Sequence, residues 1–134
     1  MIIKVGNDII EIARIKKAWE RHGERFLNKI FTKQEQDYCL SKKAFPERHI
    51  AGRFAAKEAL SKTLGTGIGP ISWLDFEILN NAQGKPIVTP SERVLALQQN
   101  AQFDLSISHC HDYATAVAVL FINPVIRRNH ENRD

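Results

Sequence analysis

Apolar residues change their spacing several times along this chain, and each change marks an element. Over residues 1–9, Ile3, Val5 and the Ile9–Ile10 pair are β-branched and Gly6 punctuates them, which predicts a strand. Ile12, Ile15, Trp19 and Phe26 then fall on a helical spacing over residues 11–26, interrupted near Gly23. Thr32 with Glu35 three residues later has capping-box spacing, so a helix starts there and runs to about residue 41, before the Pro46 break. A long central helix follows over residues 47–64 and stops in a glycine-rich turn at 65–70. Residues 73–78 alternate polar and apolar like a half-buried strand. An Asn-Asn-Ala-Gln-Gly-Lys-Pro turn and the short strand Ile87-Val88 make them a hairpin. Ser91 caps a short helix through about residue 99, residues 103–108 alternate again, and the mostly apolar run 113–122 fits a strand buried on both faces. The order predicts one α+β domain, a mostly antiparallel sheet packed on a long central helix, over residues 1–123 with a polar tail at 124–134.

Composition narrows the setting only a little. With 134 residues, 43% hydrophobic and 25% charged, the chain has the make-up of a soluble single domain. A net charge of +4 favours acidic partners, although the lysines and arginines are spread out. The two cysteines, Cys39 and Cys110, form no CxxC and read as reduced thiols of a cytoplasmic protein. The apolar N-terminus is broken by Lys4 and Asp8, unlike a signal peptide. No run approaches the roughly 20 apolar residues of a membrane span, so no membrane partner is expected.

Candidate chemistry concentrates in the central helix. Ala55, Ala56, Ala59, Leu60 and Leu64 sweep one face, and Arg53, Lys57, Glu58, Ser61 and Lys62 the other, with Gly65, Thr66, Gly67 and Gly69 following. From spacing alone, Glu58 and Lys62 are a favourable i,i+4 pair on a solvated helix. They also suit a site for an anionic, metal-bound ligand, with Glu58 on a hard cation, the lysines on phosphate oxygens and glycine N–H groups approaching closely. Asp8 is open between two roles, a helix N-cap completed by Glu11 or a ligand. In Ser106-Ile107-Ser108-His109-Cys110-His111-Asp112 the spacing is poor for zinc, and adjacent Ser108 and His109 diverge on a strand, against a serine hydrolase. His109 remains a hydrogen-bond donor for a phosphate ligand.

Five segments in order, G-N-D-I-I-E-I-x-R-I (residues 6–15), F-T-x-x-E (31–35), A-G-R-F-A-A-K-E-A-L-x-K-x-L-G-T-G-I-G (51–69), G-K-P (84–86) and S-I-S-H (106–109), closely resemble the bacterial holo-acyl-carrier-protein synthase family. Asn7, Cys110-His111 and the polar tail depart from its usual pattern. The resemblance implies transfer of phosphopantetheine from CoA to a serine of apo acyl carrier protein, releasing adenosine 3′,5′-bisphosphate. It assigns Asp8 and Glu58 as ligands of Mg²⁺, and Lys62 as the group on the phosphates and leaving group. Arg53, Gly65, Thr66, Gly84, Lys85, Pro86 and His109 become CoA contacts, His109 by hydrogen bonding rather than metal ligation. The serine proton is expected to leave through a metal-bound water relayed by Asp8 or Glu58. Arg14, Arg21 and Arg25 would meet an acidic carrier-protein helix, and a homotrimer with CoA clefts between subunits is implied. The competing classes are a basic nucleic-acid-binding module, which lacks aromatic stacking platforms here, and a metal-dependent phosphohydrolase using Asp8 and Glu58.

Overall fold

The structure, a computed structural model, describes residues 1–123; the tail expected at 124–134 lies outside them. Strand β1 (Ile2–Glu11) leads into helices α1 (Ile12–His22), α2 (Glu24–Ile30), α3 (Lys33–Leu40) and α4 (Pro46–Thr63). After a 3₁₀ turn at Trp73–Asp75 come β2 (Phe76–Asn80), β3 (Pro86–Pro90), α5 (Glu92–Leu97), β4 (Ala101–His109) and β5 (Tyr113–Ile122). This is an α+β domain in which every strand pairing is antiparallel: a three-stranded sheet in the order β1-β5-β4 and a β2–β3 hairpin.

Small residues let α4 lie close against the sheet. In register across it run Gly6, Ala118 and Leu105, then Asp8, Ala116 and Ile107, then Ile10, Ala114 and His109. Ala55, Ala56 and Ala59 of α4 are buried in the same core as Ala116 and Ala118. At Gly6 the approach is so close that a Cβ would stand 2.0 Å from the Ala59 carbonyl oxygen, a position only glycine allows. At the other end of α4, Gly52 meets the Ile107 methyl group. The helix therefore crosses the sheet from β4 to β1.

Several expectations are corrected. β1 pairs through to Glu11, opposite Tyr113, so Asp8 lies inside the strand opposite Ala116 and does not cap α1. The cap position falls on Glu11, which makes no side-chain cap bond. Residues 73–75 form a 3₁₀ turn instead of strand, because Ser72 and Asp75 cap it reciprocally. β5 is buried on one face only: Ala114, Ala116, Ala118 and Leu120 face α4, while Tyr113 and Val117 are exposed.

Lys57 also leaves its expected place on the polar face. It is fully buried, donating to Glu35 at 2.6 Å and to the Ile30 carbonyl at 2.7 Å. Burial pushes its ammonium down, and the Glu35 carboxylate opposes that shift. Glu35 closes the expected capping box with Thr32 and also accepts from the Ile78 N–H at 2.7 Å. One ion pair thus ties α3, α4 and the hairpin together.

Candidate active site

Two polar clusters stand at opposite ends of α4. The first gathers Asp8 from the middle of β1 and Glu58 and Lys62 from successive turns of α4. Lys62 does not pair with Glu58 along the helix. It donates to Asp8 at 3.1 Å and to the Asn7 carbonyl at 2.8 Å, because the tight Gly6 contact brings β1 within reach of its ammonium. Glu58 turns instead to Trp73, whose indole N–H donates to it at 3.3 Å. Phe54 stacks on that indole with ring centroids 6.0 Å apart, which holds Trp73 in place.

The electrostatics of this cluster suit a cation. Burial pushes the Glu58 carboxyl above its usual range, and the Asp8 charge adds to that, while Trp73 and Lys62 act against it. Two carboxylates facing each other with one exposed lysine leave negative charge that a hard cation would offset. Among the described residues no group of three or more His, Cys, Asp or Glu could hold a metal. Asp8 and Glu58 together would offer two carboxylates, a donor set that would suit a hard cation such as Mg²⁺.

The second cluster lines a cavity of about 240 Å³ between α4, the β2–β3 turn and the end of β4. Of the expected CoA contacts, Arg53, Gly84, Pro86 and His109 meet here, joined by Arg48, His49 and Asn80. Arg53 is nearly buried, with its guanidinium over the Tyr38 ring at 4.2 Å and donating to the Ile78 carbonyl at 3.3 Å and to the Asn80 side chain. Among the described residues no carboxylate lines the cavity.

Other expected residues sit elsewhere. Lys85 points away to Asp104, at 2.8 Å, on the far side of the turn. Gly65 and Thr66 are exposed at the exit of α4. The N–H groups of Gly65 and Gly67 are donated to the Lys62 and Ser61 carbonyls, so they close the helix. Arg14 and Arg21 share one exposed hollow on α1 with Lys17 and His22, and Arg25 is exposed beyond the Gly23 break. His109 faces His49 on the inner side of the sheet, whereas Cys110 and His111 are exposed beyond the end of β4.

Comparison with known proteins decides the family. The family model of the 4′-phosphopantetheinyl transferase superfamily matches residues 4–118. The holo-[acyl-carrier-protein] synthase of Protochlamydia amoebophila is 57% identical over 120 residues, covering 89% of this chain and 98% of that protein. The chain belongs to this family. Among solved structures, Helicobacter pylori holo-[acyl-carrier-protein] synthase in complex with coenzyme A is 38% identical, with a TM-score of 0.79 over 87% of this chain and 99% of that one. The Bacillus anthracis enzyme in complex with CoA (3′,5′-ADP) is 39% identical, with a TM-score of 0.76 over 90% and 96%.

In this phosphopantetheinyl transferase, sequence reasoning missed His49, Arg48, Asn80 and Trp73. His49 could have been found, since four residues before Arg53 lies on nearly the same helix face, whereas Arg48 lies about 140° round the helix from it. Trp73 and Asn80 reach the site through tertiary packing, for which spacing carries no signal.

Proposed function

We propose that this chain transfers phosphopantetheine from CoA to a serine of apo acyl carrier protein in a Mg²⁺-dependent reaction serving fatty acid synthesis in the cytoplasm. The observation that carries the reading is the division of polar groups: a carboxylate–lysine cluster at one end of α4 and a carboxylate-free basic cavity at the other. CoA carries a pyrophosphate and, beyond it, a 3′-phosphoadenosine, so one ligand needs both kinds of surroundings. The cavity at Arg53 and His109 suits the nucleotide end, and Asp8, Glu58 and Lys62 suit the pyrophosphate.

Arg53 and Lys62, one from each cluster, stand about 13 Å apart along α4 at 1.5 Å per residue. They lie toward opposite edges of the sheet, which favours a cleft shared between two copies over one within a chain. The sheet's outer face supports the same arrangement. Ile3, Val5 and Ile9 are exposed on it along with Val117, an apolar surface that a homotrimer would cover.

In the reaction the serine oxygen forms a bond to the β-phosphorus, and the bond from that phosphorus to the bridging oxygen breaks. Adenosine 3′,5′-bisphosphate leaves with the electron pair. Asp8 and Glu58 would hold Mg²⁺, which when bound supplies positive charge against the pyrophosphate oxygens. Lys62, steered by Asp8 and the Asn7 carbonyl, places an ammonium where the leaving phosphate gains charge. The serine proton leaves toward the Asp8–Glu58 pair. Arg14, Arg21 and Arg25 offer an exposed basic surface on α1 and α2 for an acidic carrier protein.

Intact mass of an apo acyl carrier protein, incubated with this protein, CoA and Mg²⁺, tests the reading. A gain of one phosphopantetheine, abolished by EDTA, is expected. An unmodified carrier with the protein folded would refute it, and CoA hydrolysis without the carrier would point to a phosphohydrolase.

A further inference from the structure

The basic cavity contains a pair of histidines brought together from different elements. His49, in the first turns of α4, and His109, at the end of β4, have ring centroids 5.5 Å apart at an interplanar angle of 72°. Tyr38 of α3 meets the His49 ring edge-on at 6.1 Å. Arg48 and Arg53 complete the charged lining, Lys42 approaches from the α3–α4 connection, and the hairpin contributes only Asn80, Gly84 and Pro86. Among the described residues, no element packed around His49 lines the cavity with an acid that could hold a proton on either ring.

The charged side chains that line the cavity around His49 are, among the described residues, the cations Arg48 and Arg53. Burial pushes His49 below the usual histidine range, and His109, Lys42 and Arg53 push the same way. A phosphate monoester in the cavity would reverse the balance, because a dianion within reach of a ring favours its charged form.

We propose that His49 is a specificity residue for the terminal phosphate monoester of the nucleotide, taking up a proton as that phosphate enters the cavity. The proton comes from solvent, and the neutral ring becomes an imidazolium that donates to the phosphate. This rests on reading the cavity as the site for the nucleotide end of CoA. It goes further by linking that recognition to pH. The ring is neutral when free and charged when bound, so preference for a ligand bearing the phosphate strengthens as pH falls through the interval between the two states. One proton taken up changes the affinity by about tenfold per pH unit within that interval.

The test is calorimetric titration of the whole protein with CoA and with 3′-dephospho-CoA, between pH 6 and 8, in buffers of different ionisation enthalpy. Wild-type protein is expected to take up more protons with CoA than with the dephospho form, and its preference for CoA to fall as pH rises. His49→Phe keeps an aromatic edge against His109 and removes the proton, so it is expected to flatten that fall by about one unit of slope. His49→Gln should do the same if the phenylalanine variant folds poorly. The phosphate's own ionisation affects wild type and variants alike and cancels in the difference. An excess of proton uptake with CoA over the dephospho form that is the same in wild type and variants would overturn the proposal. A slope unchanged in the variants would overturn it as well. Failure of either ligand to bind would instead overturn the reading of the cavity itself, and the proposal with it.

Discussion

Gly6 is where the geometry of the candidate site depends on a single missing methyl group. It is not among the glycines with positive φ, so alanine fits the backbone and any penalty is steric. A Cβ there would stand 2.0 Å from the Ala59 carbonyl oxygen and 3.1 Å from the Lys62 Cβ. The first distance is about 1.4 Å short of ordinary contact, and both partners are held by hydrogen-bonded backbone, so strand and helix must separate. Overpacking of this kind costs about 1–3 kcal/mol, and the upper end applies where backbone meets backbone. At about 4 °C per kcal/mol for a domain of this size, Gly6→Ala should lower Tm by roughly 8–12 °C.

The catalytic loss should exceed what lowered stability explains. Asp8 shares the inner face of β1 with Gly6, and Lys62 reaches Asp8 and Asn7 only across this contact. A displacement near 1 Å in a reacting site costs on the order of 100-fold in rate. The assay is calorimetry together with kcat/KM for carrier modification, measured well below the variant's Tm. Gly52→Ala supplies the control for stability, because there the added Cβ meets a single side-chain methyl of Ile107 at 2.9 Å and no backbone atom, while alanine gains about 1 kcal/mol of helix propensity. If Gly6→Ala melted within 2 °C of wild type and kept its kcat/KM, the argument that β1 is seated on α4 by this glycine would be wrong.

Four further outcomes are expected. Lys57→Met leaves the Glu35 carboxylate buried without its cation and should cost about 3–5 kcal/mol by urea denaturation; an unchanged midpoint would contradict the buried pair. Glu58 binds its proton more tightly folded than unfolded, so the metal-free wild type loses stability as pH rises from the ordinary carboxylate range through the raised value. Glu58→Gln removes that loss and should melt higher than wild type at pH 7 in EDTA, with the gap closing toward pH 4, while turnover is lost; a gap that widened in acid would reverse the sign. Trp73→Phe removes the indole donor to Glu58 and should raise the Mg²⁺ concentration for half-maximal activity by about 10-fold, with Mn²⁺ binding by calorimetry weakened to match. Arg14→Glu and Arg25→Glu should weaken use of the carrier protein and leave CoA affinity intact, and equal loss of both would argue against a separate carrier surface.

Much of this protein is determined by local rules that a sequence carries on its face. The capping box of Thr32 and Glu35, the break at Gly23, the Ser91 cap and the Gly84 turn involve partners a few residues apart, so spacing alone places them. The alternation of β4 and the apolar content of β5 likewise declare strands. The motif around Arg53 and Lys62 was sufficient to indicate the family, and the comparisons bear it out. Tertiary structure decided where each polar residue stands and which partner it meets. Asp8 could be a cap or a site residue until β1 was seen to pair as far as Glu11. Lys57 and Lys62 sit five residues apart with identical chemistry, yet one is sealed against Glu35 and the other is half exposed at Asp8. Helical periodicity separates faces only by hydrophobicity, and α4 is packed nearly all round, so a buried ammonium and a solvent-facing one look alike until their partners arrive. His49, Asn80 and Trp73 join the site through contacts that span 60, 27 and 15 residues, to His109, Arg53 and Glu58. Such pairings are set by how helix and sheet cross, a property of the folded chain that no local pattern encodes.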